Sequence, residues 1–281
     1  MATTYDFVAA NKRRSLILIV VFVLIIGLVG YAFSRLLNGG PVGVVTAIIV
    51  AVLMSLGGYY GGDRIALATA GAQGPITKTD NAYLFNLVEN LCIAAGMPIP
   101  KIYLISDQQI NAFATGRDPQ HASIAVTIGA IKLLENEELE GVLAHELSHI
   151  KNYDVRYMTL VVILVGVITL LSDFFWRARW MGGQRRDNNN SGNQLTAIFM
   201  IIGLVLLILA PLIGQLIQLA VSRKREFLAD ASGALLTRYP EGLARALEKI
   251  GSTSTAPLVY ANKSIAHLYI SSPFGPHAGG A

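Results

Sequence analysis

The segment His145-Glu146-Leu147-Ser148-His149 carries residue types at a spacing that can do hydrolytic chemistry. On an α-helix, residues four apart share a face, so His145 and His149 can offer two imidazoles to a single Zn²⁺ at about 2.0–2.1 Å. Glu146 stands beside them, where a carboxylate can take a proton from an attacking water. A catalytic zinc wants three protein ligands, and two histidines are not enough. Glu226-Phe227-Leu228-Ala229-Asp230 supplies a carboxylate pair at helical spacing. Glu226 would bind the metal while Asp230, one turn on, holds the outer N–H of a ligand histidine. His121, beside a strand, and His267 and His277, in the tail, read as surface residues. The bland alternative is an ordinary helix with two histidines and a second helix that begins with favourable acids.

Helices and strands must bring these residues together. Asn136 is read as the N-cap of the HExxH helix, Glu137 and Glu138 suit the positive end of its dipole, and Lys151 suits its last turn. Leu139, Leu143, Leu147 and Ile150 point away from His145 and form the packing face. Upstream, Thr79 or Asp80 is expected to cap a helix with Leu84, Leu87, Val88 and Leu91 on one side, ended by Gly96 and Pro98. Lys101 to Ile105 and Ser123 to Ile128 read as strands, and Gly129 to Leu134 as a short helical turn. Downstream helices are expected over Glu226 to Leu236 and Pro240 to Ile250. From Ser252 onward the chain is rich in Ser, Thr, Pro and Gly and gives no reading.

The setting is a membrane. Of the 281 residues, 53% are hydrophobic and 14% charged, with a mean hydropathy of +0.51. Uncharged runs account for this: Leu16 to Phe33, Val42 to Tyr60, Met158 to Ser172 and Leu195 to Val221. A span needs about 17–25 apolar residues, which the first, second and fourth runs reach and the third approaches. Lys12, Arg13 and Arg14 precede the first run, so the N-terminus is expected in the cytoplasm and the run is read as an uncleaved anchor. Asn38-Gly39-Gly40-Pro41 turns the chain into the second run. The Gly57-Gly58-Tyr59-Tyr60-Gly61-Gly62 cluster fits either close helix packing or a flexible exit from the membrane. Arg177 to Gln194 has the composition of a loop, and Pro211 is expected to kink the fourth run. Arg223 to Arg225 would lie toward lipid head groups while Glu226 turns inward. No basic patch with interleaved aromatics points to nucleic acid. Cys92 is the single cysteine, so no disulfide forms within the chain; it is read as a packed residue rather than a nucleophile.

Asn111-Ala112-Phe113-Ala114-Thr115-Gly116, the HELSH segment and Arg225-Glu226-Phe227-Leu228-Ala229-Asp230 together resemble the HtpX family of membrane zinc proteases, gluzincins related to the CAAX prenyl proteases. The order, spacing and flanking apolar runs match over nearly the whole chain. The resemblance implies one Zn²⁺ per chain held by His145, His149 and Glu226, Glu146 as general base, and a substrate cleft lined by Asn111 and the segment after it and by the strand around Ala122 to Thr127, with Ala122, Ser123, Ile124 and Ala125. An extended substrate would add to the edge of the strand around Ala122 to Thr127. Unfolded or membrane proteins are the implied substrates, the bilayer is the implied partner, and quality control under stress in the bacterial inner membrane is the implied role. Family members usually continue to a Thr-His-Pro segment whose histidine is thought to help bind the transition-state oxyanion. No such segment precedes Ala281, so that role is unassigned and a truncated sequence is one reading.

The expected fold is mainly α with a small β-sheet, an α+β zincin-like catalytic domain with about four transmembrane helices. Residues 1–62 would form the arm and first hairpin, 63–156 the first cytoplasmic part of the catalytic domain, 157–221 a second hairpin, and 222–281 the rest of the domain and tail. An intramembrane protease is disfavoured because Glu135, Glu137, Glu138, Glu140, Lys151 and Asp154 crowd the motif. A membrane scaffold or transporter with a non-catalytic HExxH is the rival class. It predicts no bound metal and no loss on changing Glu146.

Overall fold

A computed structural model describes residues 4–36, 40–182, 215, 217, 222–253 and 256–275. Two long helices, α1 (Thr4–Leu36) and α2 (Gly40–Thr69), form an antiparallel hairpin. Their outward side chains are apolar, with Leu16, Leu24, Val42 and Leu53 all exposed. Against this hairpin packs α6 (Asp154–Gly182), whose first turns bury Tyr157, Leu160, Val161, Leu164 and Val165 with Leu18 and Phe22 of α1. The glycine cluster serves close packing. A Cβ on Gly58 would meet Ile163 at 2.7 Å and one on Gly62 would meet Thr159 at 2.7 Å, whereas Gly57 and Gly61 face nothing. Small residues four apart therefore let α2 lie directly on α6.

Among the described residues one helix, Pro41–Thr69, is long and apolar enough to cross a membrane. Four such helices are not what the described residues contain. The third run ends at Asp173, short of the roughly 20 residues a span needs, and the helix runs on to Gly182 through the stretch expected to be a loop. The fourth run and its proline lie outside the described residues apart from positions 215 and 217.

The globular part is α+β. A mixed four-stranded sheet has the order β1-β2-β4-β3, with β1 (Ala72–Gln73), β2 (Lys101–Ile105), β3 (Ala112–Gly116) and β4 (Ala122–Thr127). β2 and β4 run parallel, Lys101 opposite Ser123, while β3 runs antiparallel to β4, Ala112 opposite Val126. Helix α3 (Ala82–Ala95) is capped by Asn81, whose side chain accepts from the Leu84 N–H at 3.0 Å. Thr79 and Asp80 are not the cap. Asp80 instead closes the preceding turn by accepting from the Thr77 N–H and hydroxyl, both at 2.7 Å. Cys92 is fully buried on this helix, and burial pushes its thiol up to about 12, as a packed residue requires.

After α4 (Ile128–Leu133), helix α5 (Asn136–Lys151) carries the HExxH motif through the centre of the domain. Its N-cap is Glu135 rather than Asn136. Glu138 accepts from the Glu135 N–H at 2.8 Å, which ties the first turn back on itself, and Asn136 accepts from the Tyr83 hydroxyl instead. Leu139, Leu143, Leu147 and Ile150 join the core with the sheet and α3, as the spacing predicts. The helix is covered all round because α7 (Arg223–Thr237) and α8 (Pro240–Thr253) cross its other side. Gly141 and Gly233 permit that approach. A Cβ on Gly141 would meet the backbone of Leu243 at 2.6 Å, and one on Gly233 would meet the backbone of His145 at 3.2 Å.

Beyond α8 the chain returns across the sheet. Leu258, Ile265, Leu268 and Tyr269 bury themselves with Phe113, Ala125 and Met158. Tyr269 forms an antiparallel bridge with Phe113, and the Ile270 N–H donates to the Ala112 carbonyl at 3.1 Å. The segment without a sequence reading is thus a strap along the outer side of β3.

Candidate active site

His145 and His149 project from one face of α5 with Nε2 atoms 3.1 Å apart, and both rings are buried. α7 brings Glu226 to the same point, its Oε2 at 3.6 Å from His145 Nε2 and 3.7 Å from His149 Nε2. At those lengths Glu226 makes no hydrogen bond to either ring. Each imidazole is held from behind. His145 Nδ1 lies 2.9 Å from Asp230 Oδ1, and His149 Nδ1 lies 3.1 Å from Asp154 Oδ2. A carboxylate can only accept, so each ring keeps a proton on Nδ1 and turns the lone pair of Nε2 inward.

With both rings in that neutral form, two imidazole lone pairs and a carboxylate oxygen converge on one point. Such a cluster demands a positive charge. The three atoms lie within 4.8 Å of one another and could hold a metal ion, and two nitrogens with one oxygen are a donor set that suits Zn²⁺. The electrostatics agree. Burial alone would push the His149 imidazole down, but Asp154, Glu226 and Glu146 reverse this and raise it to about 10. Burial would raise Glu226, yet the two imidazoles outweigh it and hold the carboxyl well below its usual range.

Glu146 lies one residue beyond His145 on the inner side of α5 and is 2% exposed. Burial pushes its carboxyl up to about 7, opposed by the two histidines and by the nearby Ala114 backbone of β3. Helix and sheet therefore meet at this carboxylate. A cavity of about 340 Å³ opens beside it, between the His145, Glu146, His149 and Glu226 side chains and the strap from Ala266 to Ser272.

The structure brings His145, Glu146, His149, Glu226 and Asp230 together and buries Asn111, Ala122, Ser123, Ile124 and Ala125 in or beside the sheet. β4 is hydrogen-bonded to β2 on one side and β3 on the other, so its backbone has no free edge for a substrate. Ala122, Ser123, Ile124 and Ala125 are all buried inside the sheet. Asn111 is also buried. It clamps the strap, donating from Nδ2 to the Ser271 carbonyl at 3.1 Å while its Oδ1 accepts from the Ala112 N–H at 3.0 Å.

Arg225 does not lie toward head groups. It is buried over the Tyr157 ring, 4.9 Å from its centroid, while Arg223 and Lys224 are exposed. His121 is a surface residue paired with Asp118 at 2.7 Å, and His277 lies outside the described residues. His267 is not a surface residue. It is 8% exposed, lines the cavity, and makes a 3.1 Å hydrogen bond to the Met158 carbonyl. The partnership of Asp154 with His149, the closeness of the Ala114 backbone to Glu146 and the burial of His267 escaped the sequence reading. An acid five residues after His149, just past the helix end, was the signal available for Asp154; a backbone group and a residue in an unpatterned tail leave none.

Residues 78–274 match the model of Peptidase family M48. A protease HtpX homolog from Thermoanaerobacter pseudethanolicus is 46% identical over 276 residues, which cover 97% of this chain and 91% of the relative. A second HtpX homolog, from Caldanaerobacter subterraneus subsp. tengcongensis, is 46% identical over 275 residues with the same coverage of 97% and 91%. The crystal structure of S. mikatae Ste24p aligns with a TM-score of 0.47 at 21% identity, covering 94% of this chain and 63% of that one.

Proposed function

The chain belongs to peptidase family M48, and on that premise we propose a membrane-embedded, zinc-dependent endopeptidase that hydrolyses misfolded or damaged membrane proteins at the cytoplasmic face of the bacterial inner membrane. The observation that carries this reading is the convergence of His145 Nε2, His149 Nε2 and Glu226 Oε2 beside buried Glu146. His145, His149 and Glu226 would hold one Zn²⁺, with Asp230 and Asp154 fixing the tautomer and orientation of the two rings. Zn²⁺ bound there supplies a Lewis acid that polarises a peptide carbonyl and makes water a nucleophile near neutral pH. Glu146 takes a proton from the attacking water and later gives it to the leaving amine.

The polypeptide substrate would enter the cavity between the motif and the strap rather than add to β4, whose edges are both occupied. Several features support a place in the membrane. The outer faces of α1 and α2 are apolar, the basic residues Lys12, Arg13 and Arg14 precede the first run, and the α1–α6 contact carries those helices to the site. About four spans, with the fourth apolar run crossing back, keep His145 and Glu226 on one side. Elemental analysis of the purified protein in detergent tests the proposal, together with casein hydrolysis with and without a zinc chelator. About one zinc per chain and chelator-sensitive cleavage are expected. A protein that binds no metal and is unaffected by Glu146→Gln would be the scaffold or transporter instead.

A further inference from the structure

Asn11 sits on α1 ahead of the first apolar run, yet it is 2% exposed. Its side-chain amide donates twice from Nδ2, to Asp154 Oδ1 at 2.6 Å and to the Asn152 carbonyl at 3.0 Å. Asp154 is fully buried, and its other oxygen is the one that lies 3.1 Å from His149 Nδ1. A continuous chain of hydrogen bonds thus runs from the first helix, through one carboxylate, to the second histidine of the motif.

The corner on which Asp154 stands is held from the same side. α5 stops at Lys151, Tyr153 takes a left-handed φ of +60°, and α6 begins at Asp154. That backbone region is sparsely populated by residues with a side chain and persists where the surroundings fix it. Lys12, next to Asn11, places its ammonium 4.3 Å from the centroid of the Tyr153 ring. Two consecutive residues of α1 therefore grip the turn that aims Asp154.

We infer that Asn11 is a positioning residue. Through Asp154 it fixes the ring of His149, so the first helix is a working part of the metal centre as well as an anchor. This rests on the reading of His149 as a zinc ligand. A carboxylate fixed at both oxygens can hold the His149 ring at one angle. Without the amide, Asp154 Oδ1 and the Asn152 carbonyl each lose a donor, and Asp154 is held through one oxygen less.

The test uses the full-length protein in detergent and reads metal retention rather than turnover. Zn²⁺ release to a chelator is followed in time, and the visible spectrum of the Co²⁺-loaded protein reports the ligand geometry. Asn11→Ala is expected to speed release roughly 10-fold, at the low end for outer-shell partners of a metal ligand, and to alter the Co²⁺ bands. Asn11→Ala added to Asp154→Ala should cause little further change in zinc release, because it is through that carboxylate that Asn11 reaches the His149 ring. Leu18→Ala removes apolar packing between α1 and α6 without touching Asp154, and should release zinc as the wild type does. Should Asn11→Ala fail to fold, Asn11→Leu keeps the volume, removes the donor without adding a charge, and is read in the same way. Wild-type release and spectra in the Asn11 variants, or an Asn11 effect that adds fully to that of Asp154→Ala, would overturn the inference. Absence of zinc from the wild type itself would instead remove the metal reading beneath it.

Discussion

Asp230 Oδ1 lies 2.9 Å from Nδ1 of His145, although the two residues are 85 positions apart in the chain. Glu226, one helical turn earlier on the same face of α7, reaches the inner side of the same ring at 3.6 Å. One helix therefore supplies both an acceptor that faces the metal position and one that orients its neighbour. Glu226→Ala is expected to abolish stable zinc binding and hydrolysis together. Asp230→Ala should weaken metal affinity by about 10–100-fold while leaving some activity. Metal content after gel filtration separates the two, and full zinc occupancy in Glu226→Ala would send the search to another ligand.

Glu146 contributes no atom to the convergence of His145, His149 and Glu226. Glu146→Gln should therefore keep zinc and lose about 10²–10⁴-fold in peptide hydrolysis, the range for a positioned general base. Cleavage of casein at the wild-type rate by the metal-loaded variant would refute the assignment.

Glu138 is buried at the start of α5 and accepts from Lys249 Nζ of α8 at 2.6 Å. Burial would raise its carboxyl, but Lys249 and the Glu135 N–H outweigh it and hold the group below its ordinary value of 4.5. With the folded value depressed, the stabilisation is fully present above that ordinary value and is lost as pH falls through the folded one. Lys249→Met should cost on the order of 1 kcal/mol at neutral pH, because Lys249 is partly exposed and the pair partly screened. The deficit should shrink under acid conditions. Thermal melts of both proteins at neutral and acid pH check this, and a deficit independent of pH would show that the pair is not its source.

Arg177 to Gln194 joins the third and fourth apolar runs. Two crossings would keep His145 and Glu226 on one side and place this connection outside the cell. A cysteine introduced at Asn189 should then react with an impermeant thiol reagent on intact cells. Buried Cys92, whose thiol is held up at about 12, should stay silent. Protection of the new cysteine until the cells are opened would put this connection in the cytoplasm.

The sequence by itself determined those parts of the protein whose information is local. HExxH places two imidazoles on one helical face because 3.6 residues make a turn, and ExxxD places Glu226 and Asp230 one turn apart for the same reason. Leu139, Leu143, Leu147 and Ile150 mark the packed face of α5 by the same periodicity. What only the tertiary structure decided depends on contacts between distant segments. β4 could be read as a strand, but whether it is an edge depends on β3, which is short, rich in alanine and ends in glycine, and so lacks the β-branched pattern that marks a strand. The burial of Asn111 was not legible because Tyr269 and Ile270, from a stretch with no periodicity, lie on the outer side of that strand. Asp154 and Asn11 carry no motif: 143 positions separate them, and their partnership exists because α1 and α6 pack against each other. Spacing along a helix fixes which atoms share a face, whereas the partner of that face is chosen by the packing of the whole chain.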